Sequence, residues 1–144
     1  VLLLCVGSAA CANPFETIAL RERVLAVLQD DALPTARMEL ALFWVVNRRE
    51  AKDQAELEAE GVPVPPLSSA DASLRIDKGR VIVSFADDLP SDLAGKRVVY
   101  VLCTRENPVN PHFDCSASPC GGDPAMAGGP TTTLEPVLLP ASCR

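Results

Sequence analysis

Six cysteines and one histidine are the residues of this 144-residue chain whose types point first to chemistry. Cys5 and Cys11 stand in an apolar leading run, while Cys103, Cys115, Cys120 and Cys143 fall in the last third. Two chemistries compete for the later four. In an oxidising compartment an even set forms two disulfides, and the sequence alone permits three connectivities. Alternatively His112, Cys115 and Cys120, with Cys103 or Cys143, would hold zinc. The spacing His-x2-Cys-x4-Cys is not a standard ligand box, so disulfides are expected, with no metal and no other cofactor. As a general base His112 would need a nucleophile and an orienting carboxylate within reach. Asp114 is two residues away on an irregular segment and is expected to point elsewhere. No Gly-x-Ser-x-Gly or other nucleophile motif occurs. The chain is expected to be non-enzymatic, with no small-molecule substrate.

The charged residues offer two further candidates. Arg75, Lys78, Arg80, Lys96 and Arg97 are a candidate basic patch at strand ends, the footprint a nucleic acid would need. Asp77, Asp87 and Asp88 interleave with it and the formal net charge is −6, which disfavours a polyanion partner. Asp87, Asp88 and Asp92 could gather oxygen ligands for calcium. They lack the spaced Asp-x-Asp-x-Asp-Gly pattern, so turn and capping roles are expected, as for Asp71 and Ser91.

Residues 1–12 (VLLLCVGSAACA) decide the compartment. They form a short apolar run ending in Ala10-Cys11-Ala12, the A-x-A pattern of signal-peptidase cleavage, and are too short to span a bilayer. A signal peptide, truncated at its start, is expected there. The rival is a lipoprotein signal with Cys11 as the candidate lipidation site, although Ser8 stands where that motif usually carries Leu. Contact with a membrane is expected only if Cys11 is lipidated. Either route exports the chain to the periplasm or beyond and leaves the four later cysteines oxidised.

The remaining sequence must position these groups. Residues 13–144 are expected to be one domain, since 48% apolar residues argue against disorder. Asn13 and Pro14 open a leading helix over residues 13–33, with Ile18, Val24, Leu25 and Leu28 at helical spacing. Residues 35–60 lack glycine and proline and are bounded by Pro34 and Gly61, which predicts a long helical spine. Met38 to Val46 is apolar nearly all round, so this half is expected to be wrapped. Phe43 and Trp44 are expected in the core rather than as an aromatic ligand box. After the proline-rich residues 61–72 the period changes to two. Residues 73–77 and 80–85 read as a hairpin about Lys78-Gly79, and residues 96–103 as a third strand, giving an antiparallel meander over residues 73–103. Beyond it, residues 104–144 are irregular and only residues 134–139 read as another strand. Such a segment needs fastening.

This order of elements resembles the globular head of a type IV pilin. Local strings resemble it too: Phe43-Trp44-Val45-Val46-Asn47 near the helix end, Gly61-Val62-Pro63-Val64-Pro65 entering the loop, Lys78-Gly79-Arg80-Val81-Ile82-Val83-Ser84-Phe85 with Leu93-Ala94-Gly95-Lys96, Phe113-Asp114-Cys115, and the ending Leu139-Pro140-Ala141-Ser142-Cys143-Arg144. The resemblance spans about residue 23 to 144. It implies an α+β fold, a long helical spine on a three- to four-stranded antiparallel sheet with a disulfide-closed C-terminal loop. It also implies that Cys115 pairs with Cys143, leaving Cys103 for Cys120. A role as a structural or adhesive component or accessory of type IV pili in a Gram-negative bacterium follows, with pilus subunits or another surface protein as partners. The alternative is a soluble periplasmic or secreted binding module on the same scaffold. The chain departs from the family at its start, where a pilin carries a Gly-Phe peptidase site and an unbroken apolar helix. Here Glu16, Arg21, Glu22 and Arg23 interrupt the run, and each would cost about 2.5–3.5 kcal/mol in hydrocarbon.

Overall fold

Asn13 starts the first helix as its type and place demand. In the computed structural model, which describes residues 13–61, 63–105, 107–124 and 128–144, its side chain accepts the Phe15 N–H at 3.1 Å and Pro14 takes the first helical position. The expected signal peptide and the candidate lipidation site Cys11 lie outside the described residues. Helix α1 (Pro14–Leu28) stops before the expected residue 33 because Asp30 opens a second helix. Its carboxylate accepts the Ala32 N–H at 2.9 Å and the Ser68 N–H at 2.7 Å, which ties the start of α2 (Ala32–Asn47) to the proline-rich segment. Those two backbone bonds, Ala32 first, hold the Asp30 carboxyl below its ordinary range. Pro34 sits in the first turn of α2, where a missing N–H is tolerated.

The long spine expected over residues 35–60 is broken in two, and the described residues hold three short α-helices instead. Helix α2 ends at Asn47, whose side-chain amide donates to the Phe43 carbonyl, and Arg48 turns left-handed at φ 55°. Residues 48–53 then run along the tip of a hairpin. The Lys78 and Gly79 N–H groups donate to the Lys52 and Ala51 carbonyls, both at 2.9 Å, and Ala51 is buried. An unbroken helix would engage those carbonyls internally and leave the buried Gly79 N–H without a partner. Asp53 restarts the helix by accepting the Glu56 N–H at 2.9 Å, and α3 (Gln54–Ala59) follows. An Arg49 to Glu56 ion pair spans the gap.

Strands β1 (Ala72–Asp77), β2 (Arg80–Phe85), β3 (Arg97–Cys103) and β4 (His112–Asp114) form one antiparallel sheet in chain order. The α+β class, the antiparallel sheet and two disulfides are thus as expected from the sequence. Lys78 (φ 47°) and Gly79 (φ 75°) make the two-residue β1–β2 turn, in which both central residues must be left-handed. A Cβ on Gly79 would lie 3.0 Å from the Glu50 side chain. Gly79→Ala is therefore expected to destabilise by about 1–2 kcal/mol, from the left-handed backbone plus the crowding. Urea unfolding should show a lower midpoint at unchanged slope; an unchanged midpoint would mean that neither the left-handed backbone nor Glu50 opposes a side chain at this position.

The fourth strand is not where the sequence placed it. Residues 134–139 carry Pro136, which cannot donate to a ladder, and contain a 3₁₀ turn (Pro136–Leu138) rather than a strand. Strand β4 comes instead from three residues that pair along the β3 edge, with Leu102 opposite Phe113 and Cys103 opposite His112.

One face of the sheet (Ile76, Val81, Val83, Phe85, Val98, Tyr100) packs on Leu33, Ala36, Leu40 and Phe43 of α2, on Val24 and Val27 of α1, and on Leu134, Leu138 and Leu139. The other face buries Ile82, Val99 and Val101, with Cys120 packed against them. The apolar half of α2 is not wrapped all round. Ala36, Leu40 and Phe43, at helical spacing, point inward, while Met38, Leu42, Val45 and Val46 face outward. Trp44 is half-buried, with the Arg48 guanidinium 5.3 Å from its ring.

Candidate functional site

The C-terminal segment is a layer fastened over both faces of the sheet, and each fastening traces to a named residue. Cys103 is bonded to Cys120 and Cys115 to Cys143. Their sulfurs are thereby occupied, so the zinc set with His112 is not assembled. Cys115 directly follows β4 and carries Cys143 onto the helical face; Cys120 lies on the opposite face. Two disulfides fit an oxidising, exported environment.

Asp114 holds the bend between the two bonds. One carboxylate oxygen accepts the Ser116 N–H at 2.9 Å and the other the Cys120 N–H at 2.8 Å. Burial alone would raise the Asp114 carboxyl; the bonds from Ser116 and Cys120, with the nearby His112 charge, outweigh it and hold the group below 3.8. His112 is exposed in β4, two residues along, so its neighbour is a carboxylate committed to loop backbone.

The sign of the pH dependence follows. A carboxyl whose folded value is depressed contributes stability that is fully present above its unfolded value and is lost as pH falls through the folded value. For Asp114 that loss lies below about pH 3.8. Glu50 works oppositely. Burial raises its carboxyl above 4.5, with Arg80 partly opposing, so its contribution declines as pH rises from 4.5 through the folded value. Asp114→Asn is expected to cost about 1–3 kcal/mol near neutral pH, since the amide keeps one acceptor oxygen for one of the two backbone N–H groups and turns an NH2 donor toward the other. It should also flatten the acid limb of stability. Urea midpoints measured from pH 2 to 7 check both, and an unchanged acid limb would count against this role.

The candidate basic patch is partly gathered and partly consumed. Strand register puts Arg75, Arg80 and Arg97 on one face. Arg75 is exposed, but Arg80 is buried and donates to the Pro130 carbonyl at 2.5 Å, and Arg97 donates to the Thr131 carbonyl at 2.8 Å. A Cβ on Gly129 would lie 2.7 Å from the Arg80 guanidinium carbon, so that loop is seated on the arginine. Lys78 lies exposed in the hairpin turn and Lys96 precedes β3. Two of the five cations thus serve the C-terminal segment as anchors. Asp87, Asp88 and Asp92 are exposed in the β2–β3 loop, with Asp87 against Gly95.

Sequence reading missed two features. Thr132, buried among three consecutive threonines, accepts the Val99 N–H at 2.9 Å and donates to the Cys115 carbonyl at 2.8 Å. No sequence signal separates it from Thr131 and Thr133. The outward stripe Met38, Leu42, Val45 and Val46 is the second. Its i, i+4, i+7, i+8 spacing was the available signal, hidden because the inward residues of α2 are apolar too. Val46 is 75% exposed, and Phe15 and Ile18 on α1 are exposed as well. Adjacent exposed apolar side chains on one helix face make this stripe a candidate interaction surface.

Helix α1 is not a free stalk. Leu20, Val24 and Val27 are buried, the Arg21 Nε donates to the Val137 carbonyl at 2.6 Å, and Arg23 pairs with Asp71 at 3.4 Å. Among the described residues no helix is long and apolar enough to cross a membrane. The chain matches no protein-family model, and no curated protein matches it.

Proposed function

We propose that the chain is a non-enzymatic, pilin-like protein that acts as a structural or adhesive component, or an accessory, of type IV pili. The observation that carries this reading is the order of parts: helices, a four-stranded antiparallel meander, and a C-terminal segment closed by a Cys115–Cys143 bond against the helical face. The long spine of the family is interrupted here at Arg48, and the exposed α2 stripe is the surface a neighbouring subunit would cover. A second reading, a soluble periplasmic or secreted binding module, is favoured by one feature. Arg21 and Arg23 tie α1 down onto the domain instead of leaving it to enter a filament core.

Co-sedimentation with sheared pili of the native host tests the choice. Purified residues 13–144 should pellet with the fibres, and Leu42→Glu with Val46→Glu should release them without unfolding the domain. Failure of the unaltered chain to pellet would overturn the pilus reading in favour of the binding module.

A further inference from the structure

A cleft of about 330 Å³ lies where α1, the sheet and the C-terminal loop meet, away from the outward stripe of α2. Leu28, Phe113 and Pro140 give it apolar walls. Two polar heads reach it, each without a hydrogen bond or ion pair among the described residues. Arg37, on α2, holds its guanidinium carbon 4.7 Å from the centre of the Tyr100 ring. Among the described residues it has no hydrogen bond or ion pair, so its N–H donors are not engaged by an acceptor there. Tyr100 is only 6% exposed, yet its hydroxyl has no hydrogen-bond partner among the described residues. It is not a sealed orphan either, since no fully buried side-chain oxygen or nitrogen lacks a partner among them. The hydroxyl therefore opens to the cleft that Tyr100 lines. Burial raises the Tyr100 phenol above 10.0, with Arg37 partly opposing, so near neutral pH it is a hydrogen-bond donor.

No carboxylate lines this cleft. An arginine and a phenol O–H in a half-open cleft of mixed lining, with Gln29 and Ser142 beside the apolar walls, are the donor set for a single carboxylate carried on a short apolar body, and the volume falls within the range of small-ligand pockets. We infer that the Arg37–Tyr100 cleft is a binding site for a monocarboxylate with an aromatic or branched aliphatic body. The carboxylate takes the guanidinium and the phenol O–H, and the body lies against Leu28, Phe113 and Pro140. Such a group occurs on a free small acid and at the C-terminus of a peptide ending in an apolar residue. The site is independent of the pilus reading, since it uses neither the outward stripe nor a fibre.

Titration of the ¹⁵N-labelled chain, residues 13–144, distinguishes the outcomes. The probes are 3-phenylpropionate, its uncharged amide, and a short peptide ending in Phe with a free or an amidated terminus. The acid should give saturable shifts at Arg37, Tyr100 and Phe113, and the amide should bind about tenfold or more weakly, the loss expected when a charge-assisted bond is removed. Arg37→Met, at a partly exposed position, should cause a similar loss with the fold intact by circular dichroism; Tyr100→Phe gives a second, smaller loss. Tighter binding of the free-terminus peptide than of the small acid assigns the ligand to a chain end, and the reverse assigns it to a free acid. Absence of saturable shifts with either carboxylate, or equal binding of acid and amide, overturns the site.

Discussion

Thr132→Val is expected to lower the stability of the domain by about 2–4 kcal/mol, although the side chains have nearly the same shape. The hydroxyl serves two backbone groups at once, accepting from Val99 N–H and donating to Cys115 C=O. Thr132 is 5% exposed, so water has little access to either group once the hydroxyl is gone. Strand β4 pairs with β3 only from Val101 to Cys103, and the adjacent half of that edge is covered by residues 131–134. Arg97 and Val99 present their N–H groups there, and the Thr133 and Thr132 hydroxyls accept them. The substitution should therefore lift one segment from one strand edge. Thr132→Ser keeps both bonds, loses only a methyl group, and should cost about 1 kcal/mol. Urea unfolding of the two variants gives the comparison, and faster amide exchange at Val99 in the valine variant alone would locate the defect. Equal costs for serine and valine would show that the hydroxyl is not the fastening.

That residue marks the boundary of what the chain discloses about itself. Local chemistry was legible: Asn13-Pro14 opens a helix, Lys78-Gly79 makes a two-residue turn, and the alternation in residues 73–85 makes a hairpin. Each rests on residues a few positions apart. The break after Asn47 has no such signal, since Asn47-Arg48-Arg49-Glu50 contains neither glycine nor proline. It follows from the amides of a turn some thirty residues later, which claim the Ala51 and Lys52 carbonyls. Strand β4 is three residues long and exists because β3 has a free edge beside it. Residues 134–139 have the composition of a strand, but Pro136 spoils the ladder and their leucines pack into the core. Of the candidate site, cysteines and cations could be named in advance. Which arginine stays exposed and which is spent on a carbonyl is decided by the path of the C-terminal segment, and sequence spacing does not encode that path.

The two disulfides should contribute unequally, and through different parts of the molecule. Closing the Cys115–Cys143 loop, a separation of 28 residues, is worth about 3–4 kcal/mol in the chain-entropy model, and Cys103–Cys120, at 17, about 3 kcal/mol. Entropy alone makes them nearly equal; location separates them. Cys143 follows Leu138 and Leu139, which are buried in the core that also holds Val24 and Val27 of α1, and the Val137 carbonyl accepts Arg21 of that helix. Cys120 instead packs on the small cluster of Ile82, Val99 and Val101. Loss of Cys115–Cys143 should therefore free residues 134–144 and with them the hold on α1, while loss of Cys103–Cys120 should loosen the loop on the far face. Cys115→Ala with Cys143→Ala is expected to be the more destabilised pair, with raised amide exchange in α1 and new proteolytic cleavage near the C-terminus. Cys103→Ala with Cys120→Ala should leave α1 protected. Alanine is the informative replacement, because serine would add a buried hydroxyl at Cys143, which is 1% exposed. If both pairs cost the same and α1 stays protected in each, the C-terminal loop is not what holds the helix, and the coupling between the two ends of the chain must run through the sheet.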